Sequence, residues 1–221
     1  MITERRDAHF KRCGNGDLAA DLAAIQVKLD SHAEALARLE SMGLARAPIR
    51  LDDTEYSFRR EEFVHPLIVL ELLGWVYNED ETICSVDLCA ANKSNRFFGE
   101  FSTDHVDGRT WVRGRLDEGP DEPSTTISYA HVATTQAGTE LVQCYSCGGG
   151  SGVFAWVVAF RAAQEEALFG QKRIVLTILG SVALGDRYDG SVHYDGRFLN
   201  IGPDRGWFNR GKEAENRVRV S

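Results

Sequence analysis

The chain has no excess of positive charge, no long apolar run and no even set of cysteines, and each absence closes off a class of function. Its 25 lysines and arginines are outnumbered by 33 aspartates and glutamates, for a net charge of −8. Duplex nucleic acid is therefore not an expected partner, because phosphate binding needs a concentrated basic face. No stretch approaches the ~20 consecutive apolar residues of a membrane span, so no membrane partner is expected. The N-terminus, MITERRDAHFKR, lacks the apolar core of a secretory signal and does not open with Met-Gly. Five cysteines, an odd number, then fit a reduced, cytoplasmic setting better than a disulfide framework. There is no convincing internal repeat. With 43% hydrophobic and 26% charged residues, the 221-residue chain has the composition of an ordinary folded protein. Its length allows one large domain, or one domain and an appendage.

What is present is organised around Leu141 to Phe160, LVQCYSCGGGSGVFAWVVAF. Two apolar runs rich in β-branched and aromatic residues flank Gly148, Gly149, Gly150, Ser151 and Gly152. Glycine takes positive φ without a Cβ clash, so the break predicts a β-hairpin. Phe154, Trp156, Val158 and Phe160 then point one way, and Val153, Ala155, Val157 and Ala159 the other. A strand apolar on both faces is covered on both, which puts this one at the middle of the fold.

Residues 1–16 are polar. Within 17–43, Leu18, Leu22, Ile25, Leu29, His32, Leu36 and Leu39 recur at alternating spacings of four and three, a heptad seam with one polar layer at His32. The expectation is a coiled-coil-like helix that makes the chain a homo-oligomer. The alternative is a helix packed on its own β-domain, since about three heptads are marginal alone. Residues 44–54 read as a linker, 55–208 as a β-domain and 209–221 as a polar, frayed tail.

Within the β-domain, His65 to Tyr77 is strongly apolar; Pro66 suits a helix start, but Gly74 and the aromatic end favour a strand. Ile83 to Ala91 and Arg109 to Leu116 alternate, and Thr125 to Thr135 is rich in β-branched residues. Arg161 to Leu168, RAAQEEAL, has a helical pattern. Lys172 to Leu184 is another apolar strand, and Asp189-Gly190 and Asp195-Gly196 space short hairpin strands at 191–194 and 197–201. The expected fold class is mainly β: an antiparallel β-sandwich, or a barrel, of roughly eight to ten strands behind the N-terminal helix.

Several constellations invite a functional reading. Cys84, Cys89, Cys144 and Cys147 could supply four thiolates to zinc, but cysteines three or five apart on a strand face opposite ways, so free thiols are expected and no metal. The glycine run has no following Lys-Ser or Lys-Thr, and Ser151 lacks the G-x-S-x-G frame, so neither a phosphate loop nor a nucleophile elbow is expected. Asp117, Glu118, Asp121 and Glu122 form an acidic loop that matches no EF-hand spacing. Trp111 beside Arg109, Arg113 and Arg115 sets an aromatic among guanidiniums on one strand face, suited to stack on a sugar or base or to hold an acidic partner. The histidines are scattered; His131, expected on the polar side of its strand with Tyr129, is the best placed for acid–base work.

Two functions follow. The first is a homo-oligomeric, non-enzymatic interaction module that needs no cofactor. It would present Arg109, Trp111, Arg113, Asp117, Glu118, Asp121, Gly149 and Gly150 to a protein or glycan, with avidity from the seam. The second is a small β-barrel hydrolase or isomerase that uses His131 and a loop carboxylate. It requires a concave pocket that holds His131 and a carboxylate within hydrogen-bond reach.

Overall fold

The computed structural model describes residues 48–60, 62–77, 83–91, 100–116, 124–166, 172–203 and 216–220. All belong to the compact unit Arg46–Ser221. The heptad seam and the acidic residues Asp117, Glu118 and Asp121 lie outside the described residues.

Turns set the order of the strands. Asp107 (φ 51°) and Gly108 (φ 76°) both take left-handed backbone, which joins β3 (Ser102–Val106) to β4 (Arg109–Leu116) in a tight hairpin. β5 (Thr125–Thr134), β6 (Thr139–Cys147), β7 (Phe154–Glu166) and β8 (Lys172–Asp186) follow as successive antiparallel neighbours. The glycine run forms the β6–β7 turn, with Gly149 at φ 79°. β2 (Ser85–Asp87) lies on the outer side of β8, and β1 (Pro48–Ile49) pairs with Ala162 and Ala163 of β7, just beyond the end of β6. The sheet order is β2-β8-β7-β6-β5-β4-β3. A second antiparallel sheet has the order β11-β10-β9, from Asn216–Arg219, Phe198–Ile201 and Val192–Tyr194. The fold is mainly β and antiparallel, and the described strands close no barrel.

Each face of the large sheet carries a core, as the two-sided apolar pattern of β7 requires. Trp156, Val158 and Phe160 belong to one, with Val112, Ile127, Tyr129 and Val142. Ala155 and Val157 belong to the other, where Leu141 meets Val192, Leu199 and Ile201 of the small sheet. Asp195 tightens that small sheet: Phe198 N–H, the Asn200 amide, Arg197 N–H and the Arg217 guanidinium hold its carboxyl well below the usual carboxylate range.

The first core is roofed by α1 (Pro66–Tyr77), where the sequence favours a strand. The helix buries Leu67, Ile68, Val69, Leu72 and Leu73, so its pattern has no polar face to betray a period. Its start is built by proline at the first helical position and by His65, whose Nδ1 accepts from Leu67 N–H at 3.2 Å. A Cβ on Gly114 would lie 2.9 Å from Pro66 Cβ, so the glycine lets the helix start sit directly on β4.

Three further stretches depart from expectation. RAAQEEAL continues β7 to Glu166 as a strand, because its partners Lys172 to Thr177 on β8 are in register and override local helix propensity. Ile83 to Ala91 is a strand only at Ser85–Asp87; Asp87 Oδ1 then accepts from Cys89 and Ala90 N–H and caps the turn α2 (Leu88–Ala91). The expected tail supplies β11, paired with β10 along four residues. Within the expected linker, β1 and a 3₁₀ turn (Leu51–Asp53) belong to the fold, with Leu51 fully buried.

Candidate functional site

His131 lies on the buried face with Tyr129, not on a polar one. Tyr129 is fully buried, and its hydroxyl donates to the Val64 carbonyl at 2.5 Å. The strand pattern misleads because β5 carries a bulge: His131 opposes Val142, Ala133 opposes Leu141, and Val132 between them has no opposite residue. The extra residue turns the chain so that His131 and Thr134, three apart, share a face. Beyond it a tight turn closes, with Thr135 N–H on the Thr139 carbonyl at 2.8 Å and Thr139 N–H on Thr135 Oγ1 at 3.0 Å. Thr134 is thereby set opposite Glu140.

The three side chains converge. His131 Nε2 lies 3.0 Å from Glu140 Oε2 and 3.2 Å from Thr134 Oγ1, and Thr134 Oγ1 donates to the same carboxylate oxygen at 2.7 Å. A carboxylate only accepts, so Nε2 carries a proton toward Glu140, and in an uncharged ring that arrangement leaves Nδ1 as the acceptor nitrogen. The carboxylate thus orients the imidazole and sets its tautomer, the role an acidic partner plays for a general base. Glu140 is 3% exposed and the His131 side chain 13%. The second carboxylate oxygen of Glu140, Oε1, is buried and has no hydrogen-bond partner among the described residues.

The pair opens into a pocket of about 500 Å³, whose other wall is the segment after β1. Phe58 pins that segment to the sheet, stacked on Phe160 at 5.3 Å and edge-on to Tyr129 at 5.4 Å. Arg50, Asp52, Asp53, Arg59 and Arg60 then line the pocket across from His131, Thr134 and Glu140. Asp52 organises its neighbours. Burial would raise its carboxyl pKa, but the Ser57 hydroxyl (2.6 Å) and the guanidiniums of Arg59 and Arg60 outweigh burial and hold it below its ordinary value. Three guanidiniums, three carboxylates and an imidazole thus meet in one polar concavity.

The residues singled out on β4 sit elsewhere, on the opposite face of the sheet. Arg109 donates to Gln143 Oε1 at 2.9 Å and to the Val192 carbonyl at 2.5 Å, and so ties the two sheets together. Trp111 is half-buried, its ring 5.3 Å from that of Tyr145. Arg113 is exposed and pairs at 3.8 Å with Asp104. Gly149 and Gly150 are exposed at the β6–β7 tip. Cys144 is buried in the core under α1, which pushes its thiol well above its ordinary pKa, while Cys147, toward the other face, donates to the Gly150 carbonyl at 3.4 Å. No group of three or more potential metal ligands occurs among the described residues, and none of their helices is long and apolar enough to cross a membrane.

Of the pocket, sequence reasoning reached only His131. Glu140, Thr134, Arg50, Asp52, Arg59 and Arg60 were missed. The Gln136-Ala137-Gly138 turn was the available signal, since pairing outward from it brings Thr134 against Glu140; nothing in the sequence marks the bulge. Compared with protein-family models, curated proteins and solved structures, the chain finds no match.

Proposed function

We propose that this chain is an acid–base enzyme acting on a small polar molecule, with His131 as general base and Glu140 as the group that positions it. The observation that carries the reading is the 3.0 Å contact between His131 Nε2 and a buried carboxylate at the wall of an open polar pocket. The reaction class is proton transfer: a substrate hydroxyl, a C–H acid or an attacking water gives its proton to Nδ1. This supports an isomerase or a hydrolase. The carboxylate comes from a neighbouring strand, not from a loop, and the pocket lies at the rim of an open sheet.

The chemical test needs no substrate. Diethyl pyrocarbonate acylates unprotonated imidazole nitrogen, and peptide mass spectrometry reads it residue by residue. His105 and His193, both exposed, serve as internal references. His131 is expected to react at least as fast as either despite its small exposure, and Glu140→Gln to slow it. An inert His131 would remove the general base from the proposal.

Self-association through the seam of residues 17–43 is a separate proposal that rests on the heptad spacing alone. It is compatible with either a catalytic or a binding role for the β-domain.

A further inference from the structure

We propose that the open edge of the large sheet is a self-association surface: two copies of the chain pair β3 with β3, antiparallel about a two-fold axis at Thr103, and their large sheets become one. This goes beyond the acid–base reading and uses none of its residues. Two independent observations lead to it. The first is that this edge lacks the usual protection. β3 pairs with β4 on one side only, and all five of its residues are exposed. Its sequence, STDHV, has no proline, lysine or arginine, and its pairing with β4 has no bulge. Natural sheets blunt their edges with such features, because a bare row of N–H and C=O groups is a template for another strand. The other described edges are blunted: β1, β2 and β9 are two or three residues long, and β11 carries Arg217 and Arg219. The second observation is where apolar surface is left. Among the described residues the exposed large hydrophobic side chains are Phe101 (39%) and Val106 (50%), one at each end of β3.

The backbone identifies the partner as a second copy. Asp107 and Gly108 both have positive φ, so Val106 and Arg109 close a two-residue turn and exchange hydrogen bonds. Bonded and non-bonded pairs alternate along an antiparallel ladder. Val106, Asp104 and Ser102 therefore direct N–H and C=O to β4, and His105, Thr103 and Phe101 direct theirs to the open edge. A two-fold axis normal to the sheet matches these outward residues with one another. Centred on Thr103, it pairs Thr103 with the partner's Thr103, and on either side of that pair it sets Phe101 against the partner's His105. Ser102 then stands opposite the partner's Asp104, hydroxyl against carboxylate, and the Phe101 ring lies beside the imidazole of the partner's His105. Centred on Asp104, the axis would oppose two aspartates and lose the Phe101 pairs, because the residue facing Phe101 would be the left-handed Asp107. Centred on His105, it keeps only one pair of outward residues. The contact uses up the edge that makes it, so assembly through β3 stops at two copies.

Amide hydrogen exchange, resolved by NMR, tests this in the full chain carrying Leu22→Asp and Ile25→Asp, so that the heptad seam holds no copies together. A pair of such short strands is smaller than the ~1,200–2,000 Å² of a stable interface, so the concentration is raised from about 10 µM to about 1 mM. The amides of Asp104 and Val106, bonded to β4, should be protected throughout. Those of Phe101, Thr103 and His105 should exchange at the unpaired rate at the low end and about tenfold more slowly at the high end. Adding Thr103→Pro removes only an outward N–H, at an edge position that proline tolerates. It should return Phe101 and His105 to the unpaired rate at every concentration, while protection of Asp104 and Val106 shows the hairpin intact. Outward amides that exchange at the unpaired rate up to about 1 mM would overturn the proposal, and the concentration series alone decides this. Protection that does not change with concentration would also overturn it, because the chain would then cover its own edge. Slowing of Thr103 and His105 without Phe101 would move the axis to Asp104 and overturn the register.

Discussion

Glu140→Gln separates a functional carboxylate from a structural one. The side chain is 3% exposed and lies in the sheet, so its charge is held out of water at a cost of several kcal/mol, about 3–4 after relaxation. Against this stand two hydrogen bonds to the carboxylate, from Thr134 at 2.7 Å and His131 at 3.0 Å. A hydrogen bond to a charged acceptor contributes about 1.5–3 kcal/mol and a neutral one about 0.5–1.5, so the amide forfeits roughly 1–1.5 kcal/mol per bond, about 2–3 in all. The new amide nitrogen takes the place of Oε1, which is buried and has no partner among the described residues, so its N–H groups go unsatisfied at a cost of about 1–3 kcal/mol. Relief of the buried charge offsets most of these losses, and Glu140→Gln should lower stability by no more than about 2 kcal/mol. Urea denaturation at neutral pH reads this as a midpoint little changed or slightly lowered, with unchanged slope. A loss of about 3 kcal/mol or more would refute the reasoning, because it would show that the carboxylate is a structural anchor whose bonds outweigh its desolvation.

Three further outcomes follow from the same structure. Arg109→Leu should cost about 1.5–3 kcal/mol, because Gln143 and the Val192 carbonyl lose a cationic donor, and hydrogen exchange should rise in residues 188–203; unchanged exchange would free Arg109 for a ligand role. Asp52 has a lowered folded-state pKa, so its contribution to stability is present above the unfolded value near ~3.9 and is lost as pH falls through the folded one. The stability difference between wild type and Asp52→Asn should therefore shrink below about pH 4; a difference independent of pH would contradict the pairing with Arg59 and Arg60. Leu22→Asp with Ile25→Asp should convert an oligomer to a monomer in native mass spectrometry, and an unchanged mass would retire the heptad seam.

The strands were legible where sequence and turn chemistry agree. The glycine run and the two-sided alternation of Val153 to Phe160 located the β6–β7 hairpin and its two cores, and the Asp-Gly turns located β9 and β10. Two errors came from opposite sources. His65 to Tyr77 hid a helix because its almost wholly apolar sequence has no polar face to show the 3.6-residue period. RAAQEEAL showed a helical pattern that an in-register partner strand overrode. The pocket was less legible than either. A single extra residue at Val132 reverses which side chains share a face, so His131 and Thr134 meet against every rule of alternation. The charged segment from Arg50 to Arg60 has no period at all; it is held in place by Leu51, Tyr56 and Phe58, whose burial no local pattern announces.

The central claim is that a buried glutamate fixes His131 as a base. Long-range proton–nitrogen correlation of the His131 imidazole at neutral pH, in wild type and in Glu140→Gln, tests it most directly, because it reports which ring nitrogen carries the proton. The account predicts a protonated Nε2 and a bare Nδ1 in wild type, with the balance between the two tautomers shifting in the variant. A proton on Nδ1 with Nε2 bare, or a tautomer indifferent to the loss of the carboxylate, would contradict it.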